Sequence, residues 1–164
     1  MKELLLYRHA KAEKSVPGGT DDERPLSPRG EHEAKTMGRK LKAADAIPDY
    51  ILSSSATRAA DTAAITSTAC GCRAPVHYAT ALYDAEPESY AQELRRVDKS
   101  VNRVMLVGHN PTIEEFAARL LGHRIEMKTA YLVHLSLDIS GWQDFELGAP
   151  VKLKSVLVPE TAGV

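Results

Sequence analysis

Three short segments of this sequence carry arginines and histidines, and each lies at or near the end of an apolar run. Arg8 and His9 come directly after residues 4–7, and Arg58 and His109 stand close behind two later runs. Taken singly, each is more often a surface arginine or an incidental histidine at a turn. Taken together, they predict a pocket for a dianion such as a phosphoryl group, because guanidinium forks pair with phosphate oxygens. A neutral imidazole can also attack phosphorus and become a phosphohistidine.

The elements that must position these residues alternate between strand and helix. Parallel strands place their carboxyl ends at one edge of a sheet, where ligands bind in α/β proteins. The polar segments would therefore meet at that edge. Apolar runs and turn residues predict strands at 4–7, 49–52, 75–78, 103–107, 131–137 and 151–158, and helices at 28–44, at 56–68, at 87–97 and from 111 onward.

Local signals mark where the helices begin. Ser27 is expected to cap the helix that Pro28 opens, and Asn110 to cap the helix that Pro111 opens. Arg58 falls in the first turn of its predicted helix. A cation there opposes the helix dipole, which favours an anionic partner nearby.

Composition excludes several other classes of protein. The 164 residues suit one domain spanning 1–164, and the net charge of −1 gives no basic field for nucleic acid. No apolar run approaches the roughly 20 residues of a membrane span, and no secretory leader is expected. Cys70 and Cys72 are poorly spaced for a disulfide and too few for zinc. We expect a cytoplasmic protein with no metal and no cofactor.

The sequence resembles the histidine phosphatase superfamily, also called phosphoglycerate mutase-like or RHG. Within it, the chain is most similar to the small bacterial SixA-type phosphohistidine phosphatases. The resemblance implies a three-layer α/β/α fold with a mainly parallel central sheet. It rests on residues 6–12 (LYRHAKA), 22–30 (DERPLSPRG), 54–63 (SSATRAADTA) and 107–111 (VGHNP).

The resemblance also assigns roles to individual residues. It implies that His9 is the phosphorylated nucleophile and that Arg8, Arg58 and His109 complete a phosphate pocket. Arg24, in the Arg-Pro-Leu segment, would also approach the anion. The alternative for Arg24 is a loop arginine that tethers the start of the following helix.

The chain departs from the family pattern in two places. Position 10 is alanine where the superfamily name implies glycine, and alanine is strained if that backbone needs a positive φ. The phytase-like branch has an aspartate after the second histidine, where this chain has Asn110. The general acid is therefore open: Asp84 and Glu86 are candidates, and both can equally be solvated loop carboxylates.

This departure bears on the substrate. An alkoxide leaving group needs a proton donor, whereas a protonated phosphohistidine leaves more readily. We therefore expect a metal-independent phosphatase that acts through a phosphohistidine intermediate on protein phosphohistidine. The alternatives are a hydrolase of small phosphomonoesters or a mutase, and a phosphate-binding module without turnover. The expected partner is a phosphorylated protein or small phosphorylated substrate, with no nucleic acid and no membrane.

Overall fold

The computed structural model describes residues 1–160 and contains six strands and four α-helices. Single turns of 3-10 helix also occur in three of the connections. Along the chain the elements are β1 (Lys2–Arg8), α1 (Pro28–Ala43), β2 (Tyr50–Ser54), α2 (Thr57–Cys70), β3 (Val76–Ala79), α3 (Pro87–Arg95), β4 (Arg103–Gly108), α4 (Thr112–Leu121), β5 (Leu132–Leu137) and β6 (Val151–Leu157).

All six strands form one sheet in the order β3-β2-β4-β1-β5-β6. The first four are parallel, and β5 and β6 are antiparallel to their neighbours. In the register between β1 and β4, Arg8 lies opposite Gly108. This register brings the two residues that follow, His9 and His109, to the same edge of the sheet.

Helices cover both faces of the sheet because alternate residues of each strand point to opposite sides. In β1, Leu4 and Leu6 pack with Tyr90 and Phe116, whereas Leu5 and Tyr7 belong to the core that contains helices α1 and α2. These strand residues are fully buried on both sides. The predicted three-layer α/β/α architecture with a mainly parallel sheet is confirmed.

Two of the predicted helix starts are confirmed and one is wrong. The Ser27 hydroxyl accepts a hydrogen bond from the Gly30 N–H, with proline in the first turn, and Arg58 is the second residue of α2. Helix α4 instead follows Pro111, so Asn110 is not its cap. The Asn110 Oδ1, the atom that would cap a helix, has no hydrogen-bond partner within residues 1–160, and the Asn110 amide N–H donates to the Glu114 carboxylate at 2.9 Å.

Two further predictions concern the extent and setting of the chain. No helix in residues 1–160 is long and apolar enough to cross a membrane. The single domain expected over 1–164 stays a prediction, and its last four residues lie outside those that the structure describes.

Candidate active site

His9 follows β1 and is held by the backbone on both sides. Its N–H donates to the Gly108 carbonyl at 3.1 Å, and its own carbonyl accepts from the Ala130 N–H at 3.1 Å. The ring Nδ1 lies 2.8 Å from the carbonyl oxygen of Ala10. A carbonyl only accepts, so Nδ1 carries the proton. In the neutral ring, the lone pair is therefore on Nε2. Ala10 itself has no positive φ, so alanine is unstrained where glycine was implied.

The two histidine rings are kept neutral by their surroundings. His9 and His109 are each 8% exposed, and their ring centroids lie 5.1 Å apart. Burial, aided by the charges of Arg58 and Arg8, lowers the pKa of His9 to about 3, although the hydrogen bond to the Ala10 carbonyl acts in the opposite direction. Burial, followed by the charge of Arg58, lowers the pKa of His109 to about 4. At neutral pH the site therefore holds two uncharged imidazoles beside fixed guanidinium cations.

His109 is fixed by two hydroxyl groups from other elements. Its Nε2 lies 2.8 Å from the Ser54 Oγ at the end of β2, and its backbone N–H donates to the Tyr90 Oη at 3.1 Å. Its Nδ1 is buried and has no hydrogen-bond partner within residues 1–160. A buried ring nitrogen without a partner is a natural contact for a substrate oxygen. Gly108 lets Tyr90 approach, since a Cβ there would lie 2.2 Å from the Tyr90 oxygen.

Arg8 is aimed by a carbonyl from the segment before β5. Its Nη1 donates to the Met127 carbonyl at 3.0 Å, and its Nε is buried with no partner in the described part of the chain. The Met127 segment is itself held, because the Met127 N–H donates to the Glu114 carboxylate at 2.8 Å. The Asn110 amide also donates to the Met127 carbonyl, at 3.0 Å. Helix α4 thus positions Arg8 through Met127.

Arg58 faces an acidic residue that the sequence did not suggest. Its Nη1 donates to the Asp21 carbonyl at 2.9 Å, and its Nη2 donates to Asp21 Oδ2 at 3.1 Å. The Tyr83 hydroxyl donates to the same oxygen at 2.7 Å. These hydrogen bonds, with that from Arg24, hold the pKa of Asp21 well below its usual range. Asp21 is therefore ionised and accepts hydrogen bonds, but cannot supply a proton.

Arg24 ties down the loop that carries Asp21. Its Nε donates to the Glu13 carbonyl at 2.7 Å, and its Nη1 donates to Asp21 Oδ1 at 3.0 Å. The structure thus places Arg24 beside Asp21 and joins it to the first loop. Its contact with an anion stays a prediction.

A cleft of about 420 Å³ opens over this edge of the sheet. Asp84, one of the two candidate acids, lines it and is exposed, with a φ of 50°. Glu86 is exposed just before α3 and is not among the residues that line the cleft. The other residues that line it are Asp21, Arg58, Leu82, Tyr83, Ala85, His109, Asn110, Pro111 and Thr112.

The four side chains that the sequence predicts lie at or next to the ends of neighbouring strands, but the residues that hold them were not predicted. Thr62 accepts from the Ala10 N–H at 3.0 Å and donates to the Arg58 carbonyl at 2.7 Å, which joins the loop after β1 to α2. Ser54 could have been found from its place at a predicted strand end. Asp21 and Tyr83 carried no signal, because both lie in irregular connections.

Comparison with known proteins agrees with this geometry. The model of the histidine phosphatase superfamily (branch 1) matches residues 4–92. An uncharacterised protein of Mycobacterium tuberculosis is 42% identical over 152 residues, covering 86% of this chain and 92% of that protein. The family model spans more than half of the chain, so the protein belongs to the histidine phosphatase superfamily.

Solved structures place the chain among small members of this superfamily. A candidate phosphohistidine phosphatase SixA from Agrobacterium tumefaciens is 28% identical with a TM-score of 0.82, covering 96% of this chain and 98% of that one. A candidate SixA from Nakamurella multipartitia is 28% identical with a TM-score of 0.81, covering 98% and 97%. The predicted SixA-type resemblance is confirmed, and so is the prediction of a phosphohydrolase.

Proposed function

We propose that the protein removes phosphoryl groups in two steps through a phosphohistidine on Nε2 of His9. The observation that carries this proposal is the 2.8 Å contact between His9 Nδ1 and the Ala10 carbonyl. It fixes the proton on Nδ1 and leaves Nε2 as the nucleophile. Burial keeps the ring neutral, since the pKa of His9 is lowered to about 3. A neutral, oriented imidazole can attack phosphorus without first losing a proton.

The neighbouring side chains are suited to bind the transferring group. Arg8 and Arg58 provide fixed positive charge, and His109, whose Nδ1 has no partner within residues 1–160, lines the cleft. Phosphoryl transfer needs little beyond positioning and neutralisation of the equatorial oxygens. The reaction proposed here needs no metal. Water then attacks the phosphohistidine and regenerates His9.

The carboxylates near the cleft favour phosphohistidine as the substrate. Asp21 is held ionised by three donors and cannot protonate a leaving oxygen. Asp84 lines the cleft as an exposed carboxylate, and Glu86 is exposed outside its lining. A leaving alkoxide would lack a positioned acid, whereas a leaving imidazole needs none. We therefore propose a phosphorylated protein as the substrate, with phosphohistidine as the group that is cleaved.

The experiment compares leaving groups. Purified protein is offered a phosphohistidine-bearing phosphotransfer protein, phosphoimidazole and a series of aryl phosphates of increasing phenol pKa. Without an acid, kcat/KM should fall steeply along the aryl series and be highest for the phosphohistidine substrates. His9→Ala should abolish turnover of all of them. Faster turnover of alkyl phosphomonoesters than of phosphohistidine would overturn the substrate assignment.

One observation favours a second candidate, a hydrolase of small phosphomonoesters. Asp84 lines the cleft and has an exposed carboxylate that a leaving oxygen could reach. If Asp84 is a general acid, Asp84→Asn should lower kcat/KM most for substrates with poor leaving groups. It should leave kcat/KM unchanged for substrates with good leaving groups. Glu86→Gln serves as its matched control. An equal effect of Asp84→Asn across the series would exclude this candidate.

A cytoplasmic location stays a prediction.

A further inference from the structure

The Asp21 carboxylate lies in the cleft beside Arg58 and His109, two of the residues proposed to bind the phosphoryl group. The Asp21 side chain is 51% exposed and lines the cleft together with Arg58 and His109. It reaches this position from the connection between β1 and α1, through a single 3-10 turn at Asp21–Glu23. A site that only had to bind a dianion would be weakened by a carboxylate at this position. We therefore looked for a function of Asp21 other than binding of the phosphoryl group.

The Asp21 carboxylate has capacity for one more donor. A carboxylate offers about four lone-pair sites. Oδ2 accepts from Tyr83 and Arg58, and Oδ1 accepts from Arg24. The remaining site belongs to Oδ1, and the Asp21 side chain is half exposed and part of the cleft lining. A substrate whose phosphoryl group is attached to an imidazole carries an N–H on the other ring nitrogen and would supply the missing donor.

We propose that Asp21 determines specificity by accepting a hydrogen bond from the N–H of the leaving imidazole of a phosphohistidine substrate. The inference rests on the proposed function and adds the residue that recognises the leaving group. It is carried by the fixed carboxylate, its free acceptor site and its place beside Arg58 and His109. Tyr83, Arg24 and Arg58 hold the carboxylate in one orientation, so the substrate meets a preformed acceptor.

Transfer of the phosphoryl group from the substrate imidazole to His9 requires no proton from the enzyme. The Nε2 lone pair of His9 forms a bond to phosphorus, and the bond from phosphorus to the substrate nitrogen breaks. The bonding electrons stay on that nitrogen. The other ring nitrogen keeps its proton, so a neutral imidazole departs. Asp21 stabilises the protonated form of the substrate ring before cleavage, and this is the form in which the phosphorus–nitrogen bond breaks readily.

The same carboxylate disfavours other substrates. A phosphomonoester presents only oxygen acceptors next to its phosphoryl group, and these cannot donate to Asp21. Its leaving oxygen gains negative charge in the transition state and is repelled by the carboxylate. Asp21 should therefore raise activity on phosphoimidazole and lower it on aryl phosphates.

The test measures a ratio of activities. We would compare kcat/KM for phosphoimidazole with that for p-nitrophenyl phosphate in the wild type, Asp21→Asn and Asp21→Ala. A charge-assisted hydrogen bond is worth enough to change the ratio by about tenfold in favour of the ester when it is lost. The small probes remove any contribution from docking of a protein. Circular dichroism would verify that both variants fold.

Two further variants separate recognition from support. Asp22→Asn removes the same charge from the neighbouring residue, which is exposed and does not line the cleft, and should leave the ratio unchanged. Tyr83→Phe removes one support of Asp21 but keeps its charge, so the ratio should change less than in Asp21→Asn. If Asp21 only holds Arg58 in place, both substrates lose activity in parallel. A constant ratio in Asp21→Asn and Asp21→Ala would overturn the inference.

The wild-type measurement keeps the two proposals apart. If the wild type shows no preference for phosphoimidazole over the ester, the proposed substrate is wrong. If the preference is present in the wild type and persists in both Asp21 variants, the substrate proposal stands and the role of Asp21 is refuted.

Discussion

Gly108 is the residue whose replacement tests most sharply how the fold positions His109. A methyl group added at Gly108 would lie 2.2 Å from the Tyr90 oxygen and 2.8 Å from Cζ. Tyr90 is fully buried and cannot move aside freely. Overpacking of this kind costs about 1–3 kcal/mol. Displacing Tyr90 also leaves the buried His109 N–H unpaired, which costs about 1–3 kcal/mol. Gly108→Ala should therefore lower the free energy of unfolding by roughly 2–6 kcal/mol.

A double-mutant cycle with Tyr90→Phe identifies the cause. The single change Tyr90→Phe removes the acceptor of the His109 N–H and should cost about 1–3 kcal/mol. In that background the worst contact of Gly108→Ala is relieved, and the hydrogen bond is already lost. The two changes should therefore couple by about 1–2 kcal/mol.

Urea unfolding provides the assay. Trp142 is the single tryptophan of the chain and is fully buried, so its fluorescence reports the transition. Effects of Gly108→Ala and Tyr90→Phe that add within about 0.5 kcal/mol would refute the reasoning. So would an alanine variant as stable as the wild type.

Three other outcomes follow from the same structure. Ser54→Ala leaves the buried Nε2 of His109 unpaired, so kcat/KM should fall about tenfold and the free energy of unfolding should fall by about 1–3 kcal/mol. Ser54→Thr keeps a hydroxyl, so both quantities should fall less than in Ser54→Ala. Because the pKa of His9 is about 3, kcat/KM corrected for substrate ionisation should show no loss attributable to His9 between about pH 7 and about pH 5; a limb near the ordinary histidine pKa of about 6.5 would contradict this. Burial raises the pKa of Glu3, but hydrogen bonds from Arg103, His134 and Lys154 outweigh it and lower the pKa from 4.5 to about 2. The difference in free energy of unfolding between wild type and Glu3→Gln, measured by acid unfolding, should therefore be constant above about pH 5. It should shrink as the pH falls from 4.5 to about 2.

The sequence was most informative where hydrophobic pattern alone decides structure. The apolar run ending at Tyr7 predicted β1, and the serine–proline pair at 27 and 28 predicted the start of α1. The rule that ligands bind at the carboxyl ends of parallel strands then grouped His9 with His109. In the structure, the register that pairs Arg8 with Gly108 places the two histidines side by side.

What the sequence could not predict are contacts between irregular segments. Asp21 lies in a loop without periodicity, 37 residues from the arginine that it pairs with. Asn110 was predicted to cap a helix because it precedes a proline, but its amide N–H groups donate to Glu114 and to the Met127 carbonyl, and its Oδ1 accepts no hydrogen bond within residues 1–160. Such outcomes depend on which distant groups the fold brings within hydrogen-bond distance, and no local pattern encodes them.

The central claim is that Nε2 of His9 carries the phosphoryl group during turnover. It is tested most directly by rapid quench of the enzyme with a 32P-labelled phosphohistidine protein, followed by mapping of the label under alkaline conditions. We predict an acid-labile, alkali-stable label on His9 that forms and decays at rates compatible with kcat and is absent in His9→Ala. Label on another residue, or turnover retained by His9→Ala, would contradict the account.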